Sequence, residues 1–207
     1  MQDSYKTVGK SGSGSIEEKK SRFLAEIRCV HSEEEAASFL EEMRKKYWDA
    51  SHHCSAFLLA EGGTVHFSDD GEPCGTAGRP ILDILTGAEL FDAAVVVTRY
   101  FGGTLLGTGG LTRAYGSAAR AALEDCTVIQ KQRGIHLLLK TDYTMPGRLK
   151  RMESEKRFVI GSVDYTDSVC LDILVPAGTA EDLKQELLNE TGGKIIIETG
   201  APCWFTL

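Results

Sequence analysis

The chain has 207 residues, room for one large domain or two small ones at roughly 100–200 residues each. Its 42% apolar and 26% charged residues exclude wholesale disorder. A net charge of −7 excludes a generically basic nucleic-acid binder and leaves a local basic patch open. Residues 9–15 are rich in Gly and Ser and read as a flexible loop. A strand is expected over residues 20–30, around Phe23, Leu24 and Ile27. Ser32 with Glu35 forms a capping box, and Ala36, Leu40, Met43 and Tyr47 share one helical face. Residues 54–59 and 64–67 pair as a hairpin across Glu61, Gly62 and Gly63. A helix follows over 79–85, with Pro80 in its first turn. Residues 93–98 form a buried strand, and 111–123 a helix that buries Leu111, Ala114, Tyr115, Ala118 and Ala122.

The texture changes near residue 133. Twelve glycines fall between Gly62 and Gly116, and short alternating segments follow Gly134. This divides the chain into expected domains of 1–133 and 134–207. In the second, strands are expected at 135–140, 158–165, 169–175 and 194–198. Helices are expected over 145–156 and from the N-cap Thr179, with Asp182 three residues on, to Gly192-Gly193. The order is βαββαβ, the ferredoxin-like split pattern.

No apolar stretch approaches the ~18 residues of a membrane span, and residues 1–15 lack the apolar segment of an export signal. The six cysteines (Cys29, Cys54, Cys74, Cys126, Cys170 and Cys203) form no CxxC pair. Reduced thiols and a cytoplasmic location are expected, with no metal and no cofactor.

Two glycine-rich segments carry the candidate chemistry. In the first, a strand runs through Arg99 and Tyr100 into Phe101, Gly102, Gly103, Gly107, Gly109 and Gly110, and a helix then carries Arg113 and Tyr115. Free N–H groups at a helix start, reached closely across glycine, suit an anion. Arg99 and Arg113 add charge-assisted contacts to phosphate or carboxylate. The segment is neither a Walker loop nor a GxGxxG fingerprint. The same glycines also serve tight turns and close helix packing, with the arginines simply solvated.

The second segment holds Asp69, Asp70 and Glu72 ahead of Cys74 and Arg79. Its carboxylates suit a hard cation, or the role of orienting Arg79, Arg99 or Arg113. A nucleophilic Cys74 would need His52, His53 or His66 folded beside it. The bland alternatives are solvated turn carboxylates, a small residue in a turn and ordinary histidines.

Together, DDGEP-x-GTAG-x-P over residues 69–80 and VVVTRYFGG-x-x-LG-x-GGL-x-RAY over residues 95–115 resemble the signature of the IMPACT family, UPF0029, including its bacterial members. The whole chain fits those members, and Cys74 occupies a position at which the family motif does not require cysteine. The resemblance implies an α+β protein. Its first domain would be a β-α-β sandwich like those of ribosomal proteins and elongation factors, and its second ferredoxin-like. The pair is similar to the last two domains of translocation elongation factor G. Eukaryotic IMPACT, which carries a further N-terminal domain that this sequence lacks, blocks activation of an initiation-factor kinase by competing for its activator. The expected function is therefore a non-enzymatic translation-related regulator that meets RNA, the ribosome or a translation factor. Arg79, Arg99, Tyr100, Gly102, Gly103, Gly107, Gly109, Gly110, Arg113 and Tyr115 would form its contact surface, supported by Asp69, Asp70 and Glu72. The alternative is an enzyme or sensor holding a phosphometabolite or nucleotide on the loop from Gly102 to Gly110. A third reading is a protein-interaction module with an acidic surface.

Overall fold

The computed structural model describes residues 3–155 and 157–207; Met1, Gln2 and Lys156 lie outside the described residues. The chain divides into two compact units, Tyr5–Gln130 and Lys131–Leu207, the latter joined by Asp3 and Ser4.

The N-terminal unit runs β1 (Ser4–Lys10), β2 (Gly12–Glu18), β3 (Ser21–Cys29), α1 (Glu33–Lys46), β4 (His52–Leu58), β5 (Val65–Ser68), α2 (Gly78–Gly87), β6 (Ala93–Tyr100) and α3 (Thr108–Asp125). Five strands form an antiparallel sheet in the order β2-β3-β6-β4-β5. Helices cover both faces. Ala93, Val95 and Val97 pack with α2 and α3, while Ala94 and Val96 pack with α1. That double burial explains why the central strand β6 reads as an unbroken apolar run rather than an alternating one.

One half of the capping box at α1 forms, since the Ser32 hydroxyl accepts the Glu35 N–H at 3.2 Å; the Glu35 carboxylate accepts the His31 N–H instead of that of Ser32. The hairpin of β4 and β5 also forms, with Gly62 and Gly63 at φ +71° and +64° in its turn. The expected loop at 9–15 is instead strand. A Cβ on Gly12 would lie 2.4 Å from the Ala122 carbonyl oxygen, and one on Gly14 2.5 Å from the Ala122 nitrogen. The glycines are there to let α3 lie directly on β2.

The C-terminal unit runs β7 (Thr127–Thr141), α4 (Met145–Glu153), β8 (Val159–Tyr165), β9 (Val169–Pro176), α5 (Ala180–Glu190) and β10 (Ile196–Phe205). Residues 127–130 of β7 belong to the N-terminal unit. The antiparallel order β10-β7-β9-β8 completes a ferredoxin-like βαββαβ unit. Leu137, Leu139, Leu149, Leu171, Ile173 and Leu187 form the middle of its core. Two expectations need correcting. Helix α4 ends at Glu153, short of residue 156. Thr179 precedes α5 but its side chain caps no N–H there; a 3₁₀ turn at Ala177–Thr179 leads into the helix, and the hydroxyl donates back to the Pro176 carbonyl at 3.3 Å.

Candidate nucleic-acid interface

Sheet register gathers four loops at one end of the N-terminal unit. Arg22 lies opposite Tyr100, His52 opposite Arg99, and Ser68 opposite Ser55. The β2–β3 turn, the α1–β4 loop, the β5–α2 loop and the β6–α3 loop therefore emerge together. Gly102 binds two of them: a Cβ there would sit 2.1 Å from the Lys20 carbonyl carbon. No side chain fits, so the basic turn at Lys19 and Lys20 rests against the glycine-rich loop.

Beneath the loops lies a buried polar knot. Arg99 is only 5% exposed and donates through Nη1 to Glu72 Oε1 at 2.5 Å. The Tyr115 hydroxyl donates to the same oxygen at 2.8 Å, and its ring meets Phe23 edge-on at 5.0 Å. His52 Nε2 stands 3.9 Å from Glu72 Oε1, and its Nδ1 donates to the Asp70 carbonyl at 2.8 Å. Burial, followed by the neighbouring Cys54 and Glu72, drives the Tyr115 phenol far above its ordinary pKa. Burial does the same to the Cys54 thiol.

These positions correct the expectation for Arg99 and Tyr115. Neither faces solvent, so neither can meet a ligand phosphate or base directly. Glu72 does hold Arg99, as an orienting carboxylate should. Breaking such a pair costs about 3–5 kcal/mol, because the surviving charge stays buried alone.

Asp69 and Asp70 do other work. Asp69 accepts the N–H groups of Gly75 at 2.8 Å, Ala77 at 3.0 Å and Gly78 at 2.8 Å. It thereby caps α2 from a distance, in place of Ala77, which has no capping side chain. Burial pushes its carboxyl up, and those three donors outweigh this and hold its pKa below the ordinary value. Asp70 accepts the His53 N–H at 2.7 Å and pairs with Arg44 at 3.1 Å. Neither carboxylate touches Arg79 or Arg113.

Arg79 is exposed and paired with Asp83 at 2.8 Å, one turn along α2. Arg113 is exposed in the second turn of α3. Tyr100 is half-buried and donates to Asp49 at 2.8 Å, with Arg22 over its ring at 5.8 Å. Gly103 and Gly107 take φ +80° and +75° in the exposed loop. Gly107 is the N-cap of α3 and offers no side chain, so the first N–H groups of Thr108, Gly109 and Gly110 face outward.

Three exposed apolar residues rim the same end: Trp48 at 81%, Phe101 at 49% and Leu105 at 82%. Ser51 ties two of their loops together, donating its N–H to the Arg99 carbonyl at 2.9 Å and accepting the Phe101 N–H on its hydroxyl at 3.4 Å. The sequence reading missed Lys19, Lys20, Arg22, Trp48 and Leu105. The basic-aromatic run Lys45-Lys46-Tyr47-Trp48 was a usable signal for Trp48. Lys19, Lys20 and Arg22 lie some eighty residues from the loop they adjoin. His53 is buried, His66 stacks on Phe57 at 5.2 Å, and Cys74 is exposed with no base bonded to it among the described residues. Among the described residues no group of His, Cys, Asp and Glu has metal-holding geometry.

The Impact N-terminal domain matches residues 19–123, which contain both glycine-rich segments. This chain belongs to the IMPACT family. A domain of unknown function (DUF1949) matches residues 139–194. The IMPACT family member YvyE of Bacillus subtilis (strain 168) is 35% identical, over 97% of this chain and 93% of its own. The family member YigZ of Escherichia coli (strain K12) is 35% identical, over 86% and 88%. The crystal structure of a hypothetical protein superposes with a TM-score of 0.65 at 32% identity, covering 95% of this chain and 97% of the other. The two-domain α+β architecture is thus shared with a solved structure over 95% of this chain. No helix among the described residues is long and apolar enough to cross a membrane.

Proposed function

We propose that this IMPACT-family chain is a non-enzymatic, translation-related regulator that contacts RNA, free or ribosomal, through the loop end of its N-terminal unit. The observation that carries the reading is the backbone contact of Gly102 with Lys20. It places Lys19, Lys20 and Arg22 beside Phe101, a cationic turn next to an exposed ring. Cations that track a phosphate backbone beside rings that stack on unpaired bases are what single-stranded RNA needs. The uncapped start of α3 adds N–H donors to the same end. The phosphometabolite reading loses one of its two added cations, because Arg99 is committed to Glu72, and keeps Arg113 and the helix start.

Fluorescence anisotropy of a labelled single-stranded RNA tests the proposal. Binding is expected at low salt and weakens as salt rises. Lys20→Ala/Arg22→Ala weakens it at least tenfold, and Phe101→Ala severalfold, with circular dichroism unchanged. A folded wild-type protein that shows no binding at about 50 mM salt would sink the reading.

A further inference from the structure

At the opposite end of the same sheet, three side chains stand in series. Cys29 Sγ lies 3.6 Å from His31 Nε2, and His31 Nδ1 lies 3.3 Å from Asp92 Oδ2. We propose that Cys29, His31 and Asp92 form a reactive-thiol site, in which His31 is the base, Asp92 its orienting group, and a low-molecular-weight disulfide the co-reactant.

The geometry follows from the fold. Cys29 closes β3 opposite Ala93, so the residue before Ala93, Asp92, arrives beside it. His31 follows two residues after Cys29, in the short link to α1, where its N–H donates to Glu35 Oε2 at 2.8 Å. Asp92 is buried and its backbone takes φ +49°. Its carboxylate is fixed from two further sides, by the Ala60 N–H at 2.8 Å and the Tyr5 hydroxyl at 2.5 Å. Because a carboxylate only accepts, the His31 nitrogen facing it carries the hydrogen. The lone pair of the neutral ring is then on Nε2, the nitrogen that faces the thiol. Nucleophile, base and orienter are therefore in order, with the base in its working tautomer.

Thr7 Oγ1 lies 3.6 Å from the sulfur and holds the Asp92 carbonyl at 3.2 Å. The other titratable groups facing the site are Tyr5 from β1 and Glu35 from α1. Cys29 is partly exposed and the His31 side chain is 53% exposed, so a small molecule reaches both.

The reaction is thiol–disulfide exchange. His31 Nε2 takes the Cys29 proton, and the thiolate attacks one sulfur of R–S–S–R. The Cys29 S–S bond forms as the original S–S bond breaks, and the departing thiolate takes the proton back from His31 as R–SH. One thiol and one disulfide stand on each side of the balance.

The test is site-resolved mass spectrometry of the intact chain after brief exposure to 2-hydroxyethyl disulfide, with iodoacetamide as a second probe. Cys29 is expected to react ahead of Cys74, although Cys74 is exposed and Cys29 only partly so. His31→Gln, on an exposed ring, lowers the Cys29 rate at least tenfold and leaves the Cys74 rate unchanged, which serves as the internal check on folding. Equal rates at the two thiols, or a Cys29 rate that ignores His31→Gln, overturn the proposal. Asp92 is left intact because it also secures Tyr5 and Ala60.

Discussion

At the scale of single residues, the sheet's parity decides which groups are free to act. Arg99 lies two residues beyond Val97 on β6, so it continues the face that packs against α2 and α3. Its partner Glu72 comes from a loop 27 residues earlier, and that pairing is what makes the burial tolerable. The two segments were legible as motifs and their carboxylates were expected to orient an arginine, but nothing in the spacing showed that the Glu72–Arg99 pair would be buried. Arg99 therefore read as a ligand-facing cation next to a glycine loop. His53 on the neighbouring strand, opposite Thr98, is buried on the other face of the sheet. Its ring is buried and Nε2 has no partner among the described residues. Burial pushes its pKa down, only partly opposed by Asp70. The unfolded chain then holds this proton more tightly than the folded one. The stability His53 contributes is full above its unfolded pKa of about 6.5 and is lost as pH falls through the depressed folded value. Urea midpoints measured from pH 8 to pH 5 are expected to fall more steeply for the wild type than for His53→Gln. Parallel profiles would show that the ring titrates alike in the folded and unfolded chain, against a depressed folded value.

At the scale of elements, most helices and strands were readable where an apolar period repeats. The C-terminal unit alternates clearly, as in Val169, Leu171, Ile173 and Val175 of β9, all buried with their neighbours half-exposed. Strand β2 was not readable, because its inward positions are Gly12 and Gly14 and strand propensity sees only flexible residues there. The requirement lies in the partner: α3 approaches so closely that no methyl fits. Helix α3 matches this with its own small residues, Ala118, Ala119 and Ala122, all fully buried. Gly14→Ala is therefore expected to destabilise the N-terminal unit by about 1–3 kcal/mol through overpacking. Ser15→Ala, on an exposed position of the same strand, should change stability by less than about 0.5 kcal/mol. Denaturant titration of the two variants distinguishes this from a simple propensity effect, in which Gly14→Ala would stabilise the strand.

At the scale of the molecule, a chain of net charge −7 that binds a polyanion must do so through a few local cations. The loop end supplies three, Lys19, Lys20 and Arg22, beside the exposed Glu17 and Glu18, with Glu17 opposite Arg22, while several other carboxylates near it are occupied inside the fold. Glu72 holds Arg99 and Tyr115, Asp70 holds Arg44 and His53, and Asp49 holds the Tyr100 hydroxyl. The rest of the surface repels RNA, and screening limits that repulsion to about 10 Å at 0.1 M salt. Binding should consequently be weak in its electrostatic part and short in its footprint. Three neutralised phosphates on a single strand predict a slope of log affinity against log salt of about −2, since each contributes about −0.7. A slope near −2 that falls toward −1 in Lys20→Ala/Arg22→Ala would place these cations on the phosphates. A slope near zero in the wild type would mean that Trp48, Phe101 and Leu105 meet an uncharged partner, and the loop end would then be a protein-docking surface.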